Sequence, residues 1–314
     1  MRITMILNQE GGTIRGMDAQ QFADMACAKL SQRGQECMVR MVSGEDLIKT
    51  LNEVAEDQET GTIVAGGGDG TISAAAGVCF KSGKTLGVLP MGTMNMFARS
   101  LTLPLDPEEA LDALVEADEM PLDIATANGR PYVHQFSVGL HARLVHQRQR
   151  LDTSTRFRKI TSTIKSLGRV ILNPPRFGVE VDTGSGRNRQ IVSAVSVSNN
   201  LFGDTPLAYA AQLDEGVLGV YRSRALEPGK VFRMTLHAAI GKLREDPDMS
   251  VEPALKVKLM FPNARGSAKA AIDGEIIPLE QEVECICHPG ALRTLVPKSY
   301  AASLAAREPH LKTA

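Results

Sequence analysis

The chain of 314 residues contains no tryptophan, and aromatic residues make up only 4% of it. Neither sign of charge dominates: 35 Lys and Arg stand against 36 Asp and Glu, for a formal net charge of −1. That balance argues against a protein that works chiefly by coating itself on nucleic acid. Nowhere do about 18 apolar residues follow one another, so no transmembrane helix is expected. The opening MRITMILNQEGG has an apolar stretch too short for a signal peptide or an anchor, which predicts a cytoplasmic protein. Cys27, Cys37, Cys79, Cys285 and Cys287 include no CxxC pair, and no His stands at a metal-ligand spacing from them. Their odd number and scatter predict reduced, buried thiols. Internal repeats and low-complexity blocks are absent as well.

Two nucleotide signatures are also missing. The stretch SGKT (82–85) imitates the end of a P-loop, but Gly77 stands one residue too far upstream for GxxxxGK[ST]. The segment also runs on into the apolar TLGVLP (85–90), a strand and not the helix a P-loop needs. Around residues 66–71 no glycine completes a GxGxxG dinucleotide fingerprint.

What remains is a chain with 43% hydrophobic residues, enough for real cores and long enough for two domains. Its first part alternates strand-like RITMIL (2–7), CMVRMV (37–42), TIVA (62–65) and TLGVLP (85–90) with helical 18–33, 44–55 and a helix from about 71. Such βαβ alternation predicts a mostly parallel sheet covered by helices. From residue 124 period-two runs appear: 176–182, 191–199, 216–224, 256–262 and 281–287. They predict an antiparallel sheet or sandwich. The boundary is expected near PLDIATANGR (121–130), with a ligand cleft between the domains.

TIVAGGGDGTISAAAG (62–77) puts three glycines, an aspartate and a fourth glycine between a strand and a helix. In that arrangement loop amides and a helix N-terminus face an anion, and glycines let the backbone approach phosphates closely. Asp69 cannot hold a phosphate itself, but it fits there if a divalent cation bridges it to the phosphates. An ordinary strand-to-helix turn with an Asp cap would use the same residues, and on this stretch alone both readings stay open. A second Gly-Thr loop follows in LPMGTMNMFARSL (89–101), at the end of the next parallel strand and so at the same rim of the sheet.

GGGDGT followed by PMGTMNMFARSL resembles the diacylglycerol kinase catalytic-domain family, which includes bacterial lipid kinases and sphingosine kinases. The resemblance continues in order through Asp123, FSVGLHARLV (136–145), AAQLDEGVLGV (210–220) and the triplet Asp273-Gly274-Glu275. It implies an α/β nucleotide-binding domain over 1–124 with a C-terminal return at about 293–314, and a β-rich antiparallel sandwich over 125–292 that receives the lipid. By the same resemblance Gly67, Gly68, Gly70 and Thr71 form the ATP-phosphate loop, with Gly92, Thr93 and Asn95 across the nucleotide and Asn8 at the end of the first strand. It makes Asp69 a catalytic residue that engages Mg²⁺, Asp273 the general base, and Glu275 its neighbour. Asp214 falls where bacterial members bind a structural Mg²⁺.

The chain departs from the family pattern at Met94, where a small residue is usual, and at Met96, His141 and Gly219, where acids are usual. Gln9 stands in place of a proline. From Arg143 to Arg176 nine Lys and Arg face one acid, Asp152, while Phe157, Ile160, Ile164, Leu167 and Ile171 recur at helical spacing. A basic amphipathic helix over 156–171 would suit an anionic lipid surface, although such a stripe equally suits docking on the protein's own sheet. The scarcity of aromatics beside these charges speaks against nucleic acid. The resulting expectation is an ATP- and Mg²⁺-dependent lipid kinase, cytoplasmic and peripherally membrane-bound, with homodimerisation left open. The alternatives are a non-catalytic nucleotide or lipid sensor, to which Met96, His141 and Gly219 point, and a small-molecule kinase of the NAD kinase type.

Overall fold

The computed structural model describes residues 2–12, 16, 18–151, 168, 171–184, 186–264 and 266–305. The helix expected over 156–171 lies outside the described residues except at 168 and 171. The chain divides into two compact units, Met1–Ile124 with Gly290–Ala314, and Ala125–Pro289. Among the described residues no helix is long and apolar enough to cross a membrane.

The first unit opens with β1 (Arg2–Asn8), α1 (Ala19–Gln32), β2 (Cys37–Val42) and α2 (Leu47–Glu56). It continues with β3 (Thr60–Gly67), α3 (Asp69–Ser82) and β4 (Thr85–Pro90). The strands pair in parallel in the order β2-β1-β3-β4. All six residues of β4 are buried, as its continuous apolar run requires of a strand covered on both faces. Phe22, Ala23, Ala26 and Leu30 recur at helical spacing and form the buried face of α1, packing with Met5, Leu7, Val64 and Leu89. Gly83, at φ 70, closes α3 in the left-handed conformation, so SGKT is a helix end and a strand start.

Two short helices follow, α4 (Met96–Ser100) and α5 (Pro107–Val115), the latter capped by the carboxylate of Asp106. The chain leaves through β5 (Asp118–Ala127) and returns in β16 (Glu282–Val296) and α8 (Lys298–Ala305). Thr294 of β16 pairs in parallel with Leu86 of β4, which extends the sheet. Asp123 is buried and accepts the Gly290 amide at 2.9 Å.

One expectation is corrected here. Cys27 and Cys37 form a disulfide, with their Cα atoms 5.2 Å apart, because α1 runs back past the start of β2. Sequence spacing carried no sign of that proximity. Cys79, Cys285 and Cys287 are buried thiols outside the disulfide, as expected.

In the second unit the chain forms β6 (Arg130–Tyr132), β7 (Gln135–Gly139), α6 (Leu140–Leu151), β8 (Phe177–Asp182), β9 (Arg187–Val192) and β10 (Ala194–Asn199). Next come β11 (Leu218–Ser223), α7 (Pro228–Ala239), β12 (Met249–Ala254), β13 (Lys256–Met260), β14 (Lys269–Ile272) and β15 (Glu275–Pro278). One sheet runs β12-β11-β10-β7-β14-β15, antiparallel throughout. In the other, the first half of β16 pairs with β13, followed by β8 and β9. Phe136, Val197 and Val220 from the first meet Val181, Leu259 and Cys285 from the second in a single core, which makes the unit a sandwich.

The alternating run 191–199, expected as one strand, breaks at Ser193 into two strands that lie in different sheets. The buried Ser193 hydroxyl accepts the Leu226 amide and its carbonyl accepts that of Leu140, so the break is hydrogen-bonded. Alternation alone does not reveal a strand that changes sheets.

Candidate active site

Only Gly68 separates the last residue of β3 from the first of α3. A Cβ on Gly67 would lie 2.5 Å from the Thr71 hydroxyl oxygen, so the turn is tight enough to demand glycine. The neighbouring strand β4 ends level with β3, Gly67 opposite Pro90, and the Met91 amide donates to the Gly67 carbonyl at 2.9 Å. The second loop therefore crosses the first: a Cβ on Gly92 would come within 2.5 Å of the Gly68 Cα. The close approach leaves no room for a side chain on Gly92.

Asp69 fastens the crossing. Its Oδ1 accepts the Met96 amide at 2.6 Å and its Oδ2 the Asn95 amide at 3.1 Å. A carboxylate at the start of α3 thus caps α4, supplying the acceptor that the orphan amides of a helix start need. Asn95 is buried in the left-handed conformation, φ 52, and its side chain exchanges two 2.9 Å hydrogen bonds with the backbone of Gly92. Asn8 Nδ2 donates to the Thr71 hydroxyl at 3.0 Å, and Asn8 Oδ1 accepts the Glu10 amide.

Asn8, Gly67, Gly68, Asp69, Gly70, Thr71, Gly92, Thr93 and Asn95 thus converge at the ends of β1, β3 and β4. The side chains of Asn8, Asp69, Thr71 and Asn95 hold the loops to one another, whereas Thr93 is exposed. The amides of the first turn of α3 have no partner inside the helix and carry its positive dipole end. Such a rim suits a polyanion held by backbone. A third loop belongs to it: a Cβ on Gly11 would lie 3.1 Å from the Met91 carbonyl, and one on Gly12 3.9 Å from the Thr93 hydroxyl. The Gly-Gly pair after the first strand was the available signal.

The remaining candidates lie in the second unit. Asp273 and Gly274, with φ 44 and 84, form a two-residue hairpin turn between β14 and β15, with Ile272 opposite Glu275. The Asp273 carboxylate turns inward and is buried, accepting the amides of Val133, His134 and Gln135 at 2.8 to 2.9 Å. Glu275 is exposed and pairs with Arg130. His141, in the first turn of α6, is bonded through Nδ1 to Ser137 at 2.8 Å and lies 3.2 Å from Gln135 Nε2. Burial, reinforced by the nearby His134, pulls its pKa down to about 4, so the imidazole is neutral at neutral pH.

Besides His141, the two other acid positions lost from the family pattern, Met96 and Gly219, are closed by packing. Met96 is a buried side chain. A Cβ on Gly219 would meet Ser198 Oγ at 2.6 Å and the Tyr221 ring at 2.7 Å. That ring stacks on Phe202 at 4.6 Å, and its hydroxyl accepts the Phe202 amide.

Asp214 is exposed, and the neighbouring Glu215 accepts the Leu201 amide at 3.0 Å. Among the described residues no group of three or more His, Cys, Asp or Glu is placed to hold a metal ion. Each Asp69 oxygen already accepts one amide. A Mg²⁺ there fits only in the usual manner of that ion, through waters and nucleotide phosphates with one carboxylate in attendance. The second unit also holds a cavity of about 1490 Å³. Arg143, Arg176, Arg189 and Lys269 line it beside Phe177 and Phe261, and no acidic side chain does among the described residues.

Residues 2–127 match the model of the diacylglycerol kinase catalytic domain. A Serratia proteamaculans protein named "Probable lipid kinase YegS-like" is 35% identical over 120 residues, 37% of this chain and 39% of that protein. A Pseudomonas aeruginosa protein of the same name is 27% identical over 296 residues, 90% of this chain and 91% of its own. The diacylglycerol kinase of Bacillus subtilis is 24% identical over 73% of this chain and 78% of its own. The solved structure of a diacylglycerol kinase from Bacillus anthracis superposes with a TM-score of 0.71 at 16% identity, covering 95% of this chain and 98% of the other, and so shares the fold.

Proposed function

We propose that this chain, which carries a diacylglycerol kinase catalytic domain over residues 2–127, is an ATP-dependent lipid kinase that phosphorylates a hydroxyl of a membrane lipid such as diacylglycerol. The observation that carries the reading is the crossed pair of Gly-Thr loops, fastened by Asp69, at the ends of adjacent parallel strands. Gly67, Gly68, Gly70 and the first turn of α3 would cradle the phosphates, with Gly92 and Thr93 on the other side. Mg²⁺ carried with ATP would neutralise phosphate charge, and Asp69 would order its waters.

The acceptor lipid belongs to the second unit, whose cavity combines apolar walls with a cationic rim. The lipid oxygen forms a bond to the γ-phosphorus as the bond to the bridging oxygen of ADP breaks, and the hydroxyl proton passes to the Asp273 carboxylate. Glu275 would stand beside it. Catalysis of this kind is chiefly positioning and charge neutralisation, which suits a site built from clamped loops. The basic stretch 143–176 would keep the protein at an anionic surface.

A second reading, a sensor without turnover, is favoured by the buried Met96 and by the closed space around Gly219. Transfer of labelled γ-phosphate from ATP·Mg²⁺ to a lipid panel in mixed micelles decides between them. A labelled lipid that is lost in Glu275→Ala, a substitution that uncovers no buried amide, supports the kinase. Saturable ATP binding without any labelled lipid supports the sensor.

A further inference from the structure

Among the described residues, the cavity of the second unit carries charge without a counter-charge. Arg143 on α6, Arg176 before β8, Arg189 on β9 and Lys269 at the start of β14 line it. Elsewhere Arg2, Arg130, Arg222, Arg233 and Arg293 each meet a carboxylate. Here Arg189 reaches Glu180 only at 3.9 Å. No carboxylate among the described residues stands within ion-pair reach of Arg143, Arg176 or Lys269, Glu227 included. Both guanidinium groups are anchored instead on carbonyls, Arg143 on Asn173 at 3.4 Å and Arg176 on Leu226 at 3.2 Å. A neutral carbonyl orients an arginine and leaves its charge and its other N–H groups to a ligand.

Their place in the sheet sets these cations apart from the transfer chemistry. β14 runs from Lys269 to Ile272 and Asp273 follows in the turn, about 13 Å from Lys269 along the strand. The same order holds on β7: Gln135 donates its amide to Asp273, whereas Val138 and Gly139, at the other end, line the cavity. That separation exceeds the Debye length of about 8 Å at physiological salt. Exposed charges so far off do little for a γ-phosphate whose acceptor hydroxyl meets Asp273, and a neutral acceptor has no group for them.

They suit the head of a different amphiphile. The walls beside them are apolar, with Val138 and Phe261 buried and Phe177 half-buried. Three unpaired cations exceed what one carboxylate or phosphodiester neutralises, whereas a phosphate monoester carries about −1.5 to −2 at neutral pH. The chain's own residues 152–170 are an ill-matched occupant, since they would bring Arg156, Arg158, Lys159, Lys165 and Arg169 against the single acid Asp152. We infer that this cavity binds a phosphomonoester amphiphile, its head on Arg143, Arg176 and Lys269 and its chain along Phe177 and Phe261. That is the class of compound a lipid kinase makes. On the lipid-kinase reading, on which this consequence alone rests, the product takes the apolar walls that the acceptor needs and restrains its own formation.

Titration calorimetry of the full chain tests the site with decyl phosphate below its micelle concentration. It should bind ~10- to 100-fold more tightly than monodecanoylglycerol, which has the chain without the charge, or inorganic phosphate, which has the charge without the chain. Saturating ATP·Mg²⁺ should not displace it, since the glycine loops belong to the other unit. Arg143→Gln/Lys269→Gln should weaken decyl phosphate by ~10-fold and leave monodecanoylglycerol unchanged. In transfer of labelled phosphate to a monomerically dispersed diacylglycerol, decyl phosphate should inhibit competitively with the acceptor.

Equal affinity of the wild-type chain for decyl phosphate and monodecanoylglycerol overturns the inference, whatever the variant does. So does displacement by ATP·Mg²⁺, or binding that the double substitution leaves unaltered. Failure of decyl phosphate to bind, the outcome if residues 152–170 fill the cavity, overturns it too, and binding without inhibition of transfer overturns the restraint. If a lipid is phosphorylated while decyl phosphate shows no charge-dependent binding, the site fails alone; if that binding holds while no lipid is phosphorylated, the kinase reading fails alone.

Discussion

One methyl group at Gly92 should cost far more than one at Gly68, although the two glycines face each other. A Cβ on Gly92 would lie 2.5 Å from the Gly68 Cα and 2.9 Å from Asn95 Oδ1, whereas a Cβ on Gly68 would keep 3.6 Å from the Gly92 Cα. Carbon atoms sit best about 3.5 to 4 Å apart, so Gly92→Ala must push the loops apart by about 1 Å and Gly68→Ala need move nothing. Overpacking of that kind costs roughly 1–3 kcal/mol. Separating the loops also stretches the bonds from Asn95 and Met96 to Asp69, each worth about 1 kcal/mol. The sum, about 3–5 kcal/mol, corresponds to a melting temperature lower by roughly 6–20 °C for a cooperative unit of this size. Gly68→Ala should stay within about 1 kcal/mol of wild type, and stiffening of the unfolded chain could make it slightly positive. Its penalty should appear instead in ATP affinity, because the new methyl would occupy the phosphate approach that the proposed function assigns to this loop. Differential scanning calorimetry and nucleotide titration of both variants make the comparison. Equal stabilities for the two, or unchanged ATP affinity in Gly68→Ala, would refute the loop geometry as the basis of binding.

Three further outcomes are expected. Asp273→Ala should lose stability by roughly 2–5 kcal/mol in urea titration, because three amides lose their acceptor, whereas Glu275→Ala breaks only an exposed ion pair and should change it by less than about 1 kcal/mol. Stability should fall by about 2 kcal/mol, allowing for some solvent at the ring, as pH drops from 6.5 to about 4, because the unfolded chain then protonates His141 while the folded chain does not. In His141→Gln the urea midpoint should be flatter across that window, and an identical profile would mean that His141 is not its source. Without reductant, iodoacetamide should leave Cys27 and Cys37 unlabelled; reduction should cost about 2–3 kcal/mol, and labelling of both beforehand would contradict the bridge.

The parallel strands were plain from sequence because each is a short apolar run between punctuating residues, as TLGVLP is. The loops were equally plain, since glycines at strand ends have a geometric cause. What sequence could not show is what the polar residues of those loops do. Asn8, Asp69 and Asn95 read as ligands for a nucleotide, yet their nearest partners are Thr71, two amides and Gly92, residues distant or inconspicuous in the chain. The hairpin at Asp273 was foreseeable from Asp-Gly, whereas its inward carboxylate depends on amides 138 to 140 residues away. Long-range pairing of this kind leaves no local period to read.

Thr294 beside Leu86 has a consequence for synthesis. The strand that covers the edge of β4 leaves the ribosome after some two hundred further residues, so β1 to β4 must wait with that edge bare while the whole second unit is made. A bare strand edge invites pairing with another chain. A gene fragment ending at residue 127, where the match to the catalytic-domain model stops, keeps every residue of the glycine loops and yet should aggregate. Supplying residues 290–305 through a short linker after Ile124 restores the missing strand, and with it the shortest piece expected to stay in solution.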